Sequence, residues 1–267
     1  MNTTLRRLLC ASFAALGVIG CAHSPSAITE RPSRLLHARP IPPRSMGPAN
    51  PASALPGTEG ALLPTSSSLF VEPFDQLDPQ VWRQVEVKGE TLYTIVDIDG
   101  QHSLKADSRD QASIMLRPTK FDPKIYPILS WRWRVDKLVD KEDLRTKDGS
   151  DAAARVYVYF DTGSLPWKKR SIDYVWSKSL PVGTVLSSAF SKFSKIIVVE
   201  SGAEHLGQWR TESRNIVEDY RRCYDQKVPR VVAIGLMTDA DNTHSEAVAY
   251  YDDVTVSRDK PRADAGR

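Results

Sequence analysis

The chain has 267 residues, with 36 Lys and Arg against 33 Asp and Glu, a formal charge of +3. Two of those charges, Arg6 and Arg7, sit at the start, so the rest is near neutral and lacks the basic surplus that phosphate backbones require. Hydrophobic residues make up 41%, which excludes disorder over the whole length.

After Arg6 and Arg7, Leu8 to Ile19 is apolar or small throughout. That run is about a dozen residues, short of the ~20 needed to cross ~30 Å of hydrocarbon as a helix. Residues 1–20 therefore read as a signal peptide and stand outside the fold. Val18-Ile19-Gly20-Cys21 closes the run and resembles the lipobox of bacterial lipoproteins. The resemblance implies cleavage before Cys21, lipidation of its thiol and a membrane partner held through the lipid anchor. Acyl chains in pairs give stable anchoring where one alone is marginal. Ala22 follows the cysteine where an Asp would imply inner-membrane retention. In a Gram-negative type of envelope this implies the outer membrane, facing the periplasm. Cys10 leaves with the signal, and Cys223 is left alone, so no internal disulfide is expected.

Residues 21–66 hold nine of the 18 prolines, from Pro25 to Pro64, among Ala, Ser, Gly and Arg. Such a segment buries too little apolar surface to offset its ordering entropy and reads as a disordered tether. Residues 259–267 read as a disordered tail.

Residues 67–258 carry the pattern of one folded domain. Leu129 to Val135 alternates strictly, with Leu129, Trp131, Trp133 and Val135 on one face and Ser130, Arg132 and Arg134 on the other. Ala154 to Phe160 alternates aliphatic residues with Arg155, Tyr157 and Tyr159. Further strands are expected at Trp82–Val87, Leu92–Asp97, Ala112–Arg117, Ile172–Trp176, Ile196–Glu200, Val231–Thr238 and Ala247–Val256. Ile197-Val198-Val199 and Val231 to Ile234 are apolar at both parities and predict strands covered on both faces. Glu212 to Tyr224 places Ile216, Val217, Tyr220, Cys223 and Tyr224 at helical spacing, and Pro229 follows. About nine strands and one short helix, without alternation of the two, predict an all-β, antiparallel, jelly-roll-like β-sandwich.

Several motifs punctuate this domain: Trp131-Arg132-Trp133, Gly149-Ser150-Asp151 running into Ala154 to Tyr157, Tyr174-Val175-Trp176, Trp209, Arg214-Asn215 with Asp219-Tyr220, Thr238 to Thr243, and Tyr250 to Val254. Together they resemble an uncharacterised bacterial family, domain of unknown function (DUF) 3047. That family implies no activity. The closing Tyr-Asp-Asp-Val strand also resembles the last strand of jelly-roll carbohydrate-binding modules and laminin-type sandwiches.

For chemistry, Asp239, Asp241 and Asn242 share one tight loop, with Thr243 next and Asp253 or Asp252 on the last strand. Carboxylate and amide oxygens at this density suit part of a structural calcium shell. They equally suit a plain turn, because Asp and Asn bond their own backbone. The loop is no EF-hand, since His244 and Tyr250 stand where Gly and Glu are needed. Arg155 reads either as a fork for a ligand's oxygens or as a structural partner of Asp219 or Asp253. The ligand-binding candidates are Arg155, Tyr157, Trp167, Trp176, Trp209 and Arg214, rings and forks that stack on and bond a flat polar ligand. Trp131 and Trp133 are assigned to the core by parity, and Trp167 to an exposed basic loop.

Nucleophile motifs are missing: there is no G-x-S-x-G, no H-E-x-x-H and no phosphate loop. Cys223 reads as a helix residue, and the histidines are too scattered for a zinc set. Glu200 with Glu204, or Asp173 with Glu200, are candidate acid pairs for glycoside chemistry. The sequence points first to a non-catalytic, lipid-anchored binding domain for a glycan or envelope polymer. A glycan hydrolase using paired carboxylates and a structural or assembly lipoprotein are the alternatives.

Overall fold

A computed structural model describes residues 67–163 and 169–260. Cys21, the tether, Trp167 and most of the tail lie outside the described residues. Among the described residues, thirteen strands form two sheets packed face to face, with one helix beside them. In chain order they are β1 (Ser68–Glu72), β2 (Arg83–Lys88), β3 (Leu92–Ile98), β4 (Gln101–Arg109), β5 (Ala112–Phe121), β6 (Ile128–Lys137), β7 (Ala154–Phe160), β8 (Arg170–Ser177), β9 (Val185–Ser187), β10 (Ser194–Ser201), β11 (Arg210–Asn215), α1 (Ile216–Tyr224), β12 (Val231–Asp239) and β13 (Glu246–Ser257).

One sheet runs β11-β6-β13-β4-β3, with β1 also on β13. The other runs β2-β5-β12-β7-β8-β10-β9. β13 changes neighbour along its length: Glu246 to Tyr251 pair with β4, and Val254 to Ser257 pair with β1. A bulge between Asp252 and Thr255, with Asp253 at φ 50°, marks the change. All pairings are antiparallel except β8 with β10, which are parallel. The short β9 makes this possible, because it pairs antiparallel with β10 and lets the chain return beside β8 in the same direction.

The helix is shorter than its periodicity suggests. Residues Arg210 to Asn215 extend as β11 along β6, and Asn215 then caps α1 by accepting from the Val217 and Glu218 amides at 3.0 and 3.2 Å. Asp225, at φ 49°, ends it.

The main core lies between the sheets and is aromatic. Trp131, Trp133, Tyr174, Trp176 and Tyr251 are all buried there. Their polar tips cross the sandwich: Tyr251 of β13 donates to the Met237 carbonyl of β12 at 2.6 Å, and Tyr93 of β3 donates to Ser113 of β5 at 2.7 Å. Tyr174 donates to Asp219 on α1 at 2.9 Å.

The seven-stranded sheet is apolar on its outer face too. Ile196, Val198 and Val175 are covered there by Leu144 and Ala152 of the β6–β7 connection. Glu142 of that connection fixes it by accepting from Ser177 at 2.6 Å and from the Lys178 amide at 2.7 Å. A second outer cluster, Ala112, Ile114, Leu116, Ala233 and Met237, lies beside the rings of Tyr157 and Tyr159. That part of the face holds a cavity.

Candidate functional site

The cavity follows from strand parity. In β7, Val156, Val158 and Phe160 fill the inter-sheet core, so Arg155, Tyr157 and Tyr159 point outward. In β8, Ile172 and Tyr174 point inward and Ser171 and Asp173 outward. Gly235 of β12 faces this row. A Cβ there would lie 3.1 Å from Ile114 Cγ2 and 3.4 Å from both Tyr157 Cβ and Tyr159 Cε2. The two phenol rings stack with centroids 5.4 Å apart and planes inclined by 11°. The cavity measures about 120 Å³ and is lined by this floor together with Val87, Lys88, Phe190 and Asn242, among others.

Its polar end is built on Arg155, which is 3% exposed. The guanidinium donates to the Ser150 carbonyl at 2.8 Å and faces Asp239 at 3.4 Å, while its Nε has no acceptor among the described residues. Burial works against the charge, but the carboxyl groups around it, Asp239 first and then Asp173 and Asp151, more than offset it and keep Arg155 protonated. Burial pushes the Asp239 carboxyl up to about 8, against the pull of Arg155. Asp173 is raised by the same cause and accepts from Ser171 at 2.8 Å and Ser194 at 2.7 Å. The end therefore sets a donor cation among hydrogen-bond acceptors, beside a stacked aromatic pair.

Asp151, Asp239 and Asp241 bring carboxylate oxygens within 4.8 Å of one another. The donor set does not suit a cation. Asp151 already accepts four bonds: from the Asn242 amide N–H (3.0 Å) and side chain (2.7 Å), and from the Thr243 amide (2.8 Å) and hydroxyl (2.7 Å). Arg155 supplies positive charge to Asp239, and Lys88 lies 3.9 Å from Asp241. The loop is a charge-compensated turn clamped by Asp151. Asp253 does not join it and pairs instead with Arg132 at 3.5 Å.

The remaining candidates are dispersed. Trp176 is fully buried, its indole donating to the Gly202 carbonyl at 3.0 Å, so it is core rather than ligand surface. Arg214 is bidentate to Asp219 at 2.6 and 2.9 Å, a structural pair that also holds Tyr174. Trp209 lies with Tyr250, 6.5 Å away, beneath the Arg132 guanidinium at 4.7 Å, apart from the cavity. Trp167 falls outside the described residues. Cys223 is a half-buried helix residue whose thiol burial pushes up to about 12, which keeps it un-ionised. Glu200 is held by Arg210 at 2.9 Å, and neither Glu200 nor Glu204 is among the residues that line the cavity with Asp173. Sequence reasoning named Asp173 only as half of an acid pair with Glu200, and did not single out Tyr159 or Phe190 as site residues. The alternation of β7 points to Tyr159, whereas Phe190 carries no signal.

The described domain is thus a two-sheet sandwich with an apolar hollow, charged at one end, on the outside of its seven-stranded sheet. The chain belongs to the family described as protein of unknown function (DUF3047), matched over residues 80–255. No curated protein matches it. Among the solved structures to which the sandwich is similar at low identity are the following three. The glycoside hydrolase domain of Endo-D from Streptococcus pneumoniae R6 is 12% identical with a TM-score of 0.37, over 68% of this chain and only 22% of that one. The family 30 carbohydrate-binding module of a cellulosomal cellulase of Clostridium thermocellum is 10% identical with a TM-score of 0.41, over 72% and 100%. A cellulose induced protein is 8% identical with a TM-score of 0.43, over 72% and 98%.

Proposed function

We propose that this is a lipid-anchored protein of the cell envelope, held through Cys21 at the outer membrane, whose sandwich binds a glycan without cleaving it. The observation that carries the binding reading is the cavity itself. The stacked Tyr157 and Tyr159 rings lie beside Arg155, Asp173 and Asp239 in one hollow. A flat ring face packs on aromatic rings, and fixed polar groups orient its hydroxyls. The lipobox-like run before Cys21 supports the anchor, and the proline-rich residues 21–66 would serve as its spacer.

A hydrolytic reading has one observation in its favour: Asp239, whose carboxyl is raised by burial, shares the cavity with Asp173. Its geometry favours binding instead. One Asp239 oxygen accepts the Ala152 amide at 3.0 Å and the other faces Arg155. Both Asp173 oxygens are engaged by serines. Acids so fully committed are poorly placed to transfer protons to a substrate.

The test is retention of the full chain on a panel of immobilised polysaccharides. Binding to at least one, lost in the double variant Tyr157→Ala with Tyr159→Ala and kept in Trp209→Ala, is expected. Equal loss in Trp209→Ala, or no retention by any polysaccharide, would sink the assignment. Separately, Cys21→Ser should move the folded chain from the membrane fraction to the soluble one.

A further inference from the structure

We infer that the cavity reads a single, uncharged terminal ring of its ligand rather than a stretch within a chain. This rests on the glycan-binding reading above and narrows it. Three observations carry it: size, closure and the distribution of charge.

The volume of about 120 Å³ falls well short of the ~300–1,000 Å³ of sites for drug-sized ligands. It is close to the ~150 Å³ cavity that accepts one benzene ring. One ring-sized unit fits.

Closure comes from the sheet order. β2 forms one edge of the seven-stranded sheet, and its Val87 and Lys88 wall the cavity on that side. On the opposite side stand Phe190 and Ser191 of the β9–β10 turn. The third side, beyond Arg155, is shut by Ser150 and Asn242, both fixed in place. Ser150 accepts from Arg155, and Asn242 is clamped by Asp151. A polymer passing straight through would have to displace that turn. A chain end could set its leading hydroxyls against the polar end without displacing it.

Charge then discriminates among ends. Asp173, Asp239 and Asp241 all line the cavity. The lysines there are committed, Lys88 to Asp110 and Asp241, and Lys169 to Asp161 at 2.5 Å. A carboxylate or sulfate on the entering ring would find no uncommitted lysine to pair with it. Neutral hydroxyls, each both donor and acceptor, suit an end that sets a guanidinium among carboxyl and hydroxyl groups.

Calorimetric titration of the full chain tests this with methyl glycosides of glucose, galactose, N-acetylglucosamine and glucuronic acid, and with the neutral tetrasaccharides of the same units. At least one neutral glycoside should bind, its tetrasaccharide within about threefold of it, and the glucuronide about tenfold or more weaker. Tyr157→Ala should weaken binding about tenfold, while Tyr157→Phe, which keeps the ring, should not. A tetrasaccharide about tenfold tighter than its monosaccharide would overturn end recognition, and a glucuronide as tight as the glucoside would overturn the charge argument. Absence of binding by every sugar would remove the glycan reading itself, a result distinct from either.

Discussion

Asp151 shows how one residue sets the character of the site. It is fully buried and accepts four hydrogen bonds from Asn242 and Thr243, which pins the β12–β13 turn against the start of β7. Removing an acceptor of this kind strands buried donors, at ~1–3 kcal/mol each. Asp151→Ala is therefore expected to lower the unfolding free energy by about 3 kcal/mol or more, read from the urea midpoint. The same bonds argue against calcium, since a cation would compete with four donors and with Arg155. The thermal midpoint should be unchanged by added calcium or by EDTA. A midpoint that rises with calcium concentration, the linkage signature of a ligand bound to the folded state, would show that the three acids do hold a cation.

At the scale of elements, the site depends on strand order more than on any local motif. Gly235 is the meeting point: its bare Cα lets Ile114 of β5 and the tyrosines of β7 close over β12. Gly235→Ala should push those side chains apart, costing about 1–3 kcal/mol as overpacking does. It should also weaken ligand binding, because the stacked rings move. A variant with wild-type stability and binding would show that the rings relax without consequence. The alternation in β7 made Arg155, Tyr157 and Tyr159 legible from the chain alone, as it made Trp131 and Trp133 core. Trp176 was misplaced for the same kind of reason: its parity matches Tyr174 and Ile172, both inward. β4 and β11 escaped notice because QHSLKADSR and RTESRN are polar, and their strand state comes from pairing with β13 and β6 rather than from composition. The parallel β8–β10 pair and the approach of Asp173, Asp239 and Phe190 are non-local, and no spacing in the chain encodes them.

For the molecule as a whole, burial of acids sets the sign of its pH response. Three carboxyls are held well above their ordinary values, all chiefly by desolvation: Asp239 from 3.8 to about 8, Glu212 from 4.5 to about 7, and Asp252 from 3.8 to about 6. The unfolded chain releases these protons near the ordinary values, whereas the folded chain keeps them until the raised ones. Between the two the folded state binds more protons, so stability falls as pH rises and levels off above about 8. Lowered acids such as Asp107, Asp143, Asp161 and Glu246 act in the opposite direction. They are partly or largely exposed ion-pair partners at the surface, so their contribution is small and is lost as pH drops through the ordinary carboxylate range and below it. The thermal midpoint should accordingly be several degrees higher near pH 5 than near pH 8.5 (roughly, by linkage). Glu212→Gln should flatten the profile between about pH 4.5 and 7, and Asp239→Asn between about pH 4 and 8. A midpoint that climbs steadily toward pH 8.5 would mean that these carboxyls are ionised in the folded state. The polar end of the cavity would then be strongly anionic, and the preference for an uncharged ring would rest on repulsion rather than on shared hydroxyl bonding.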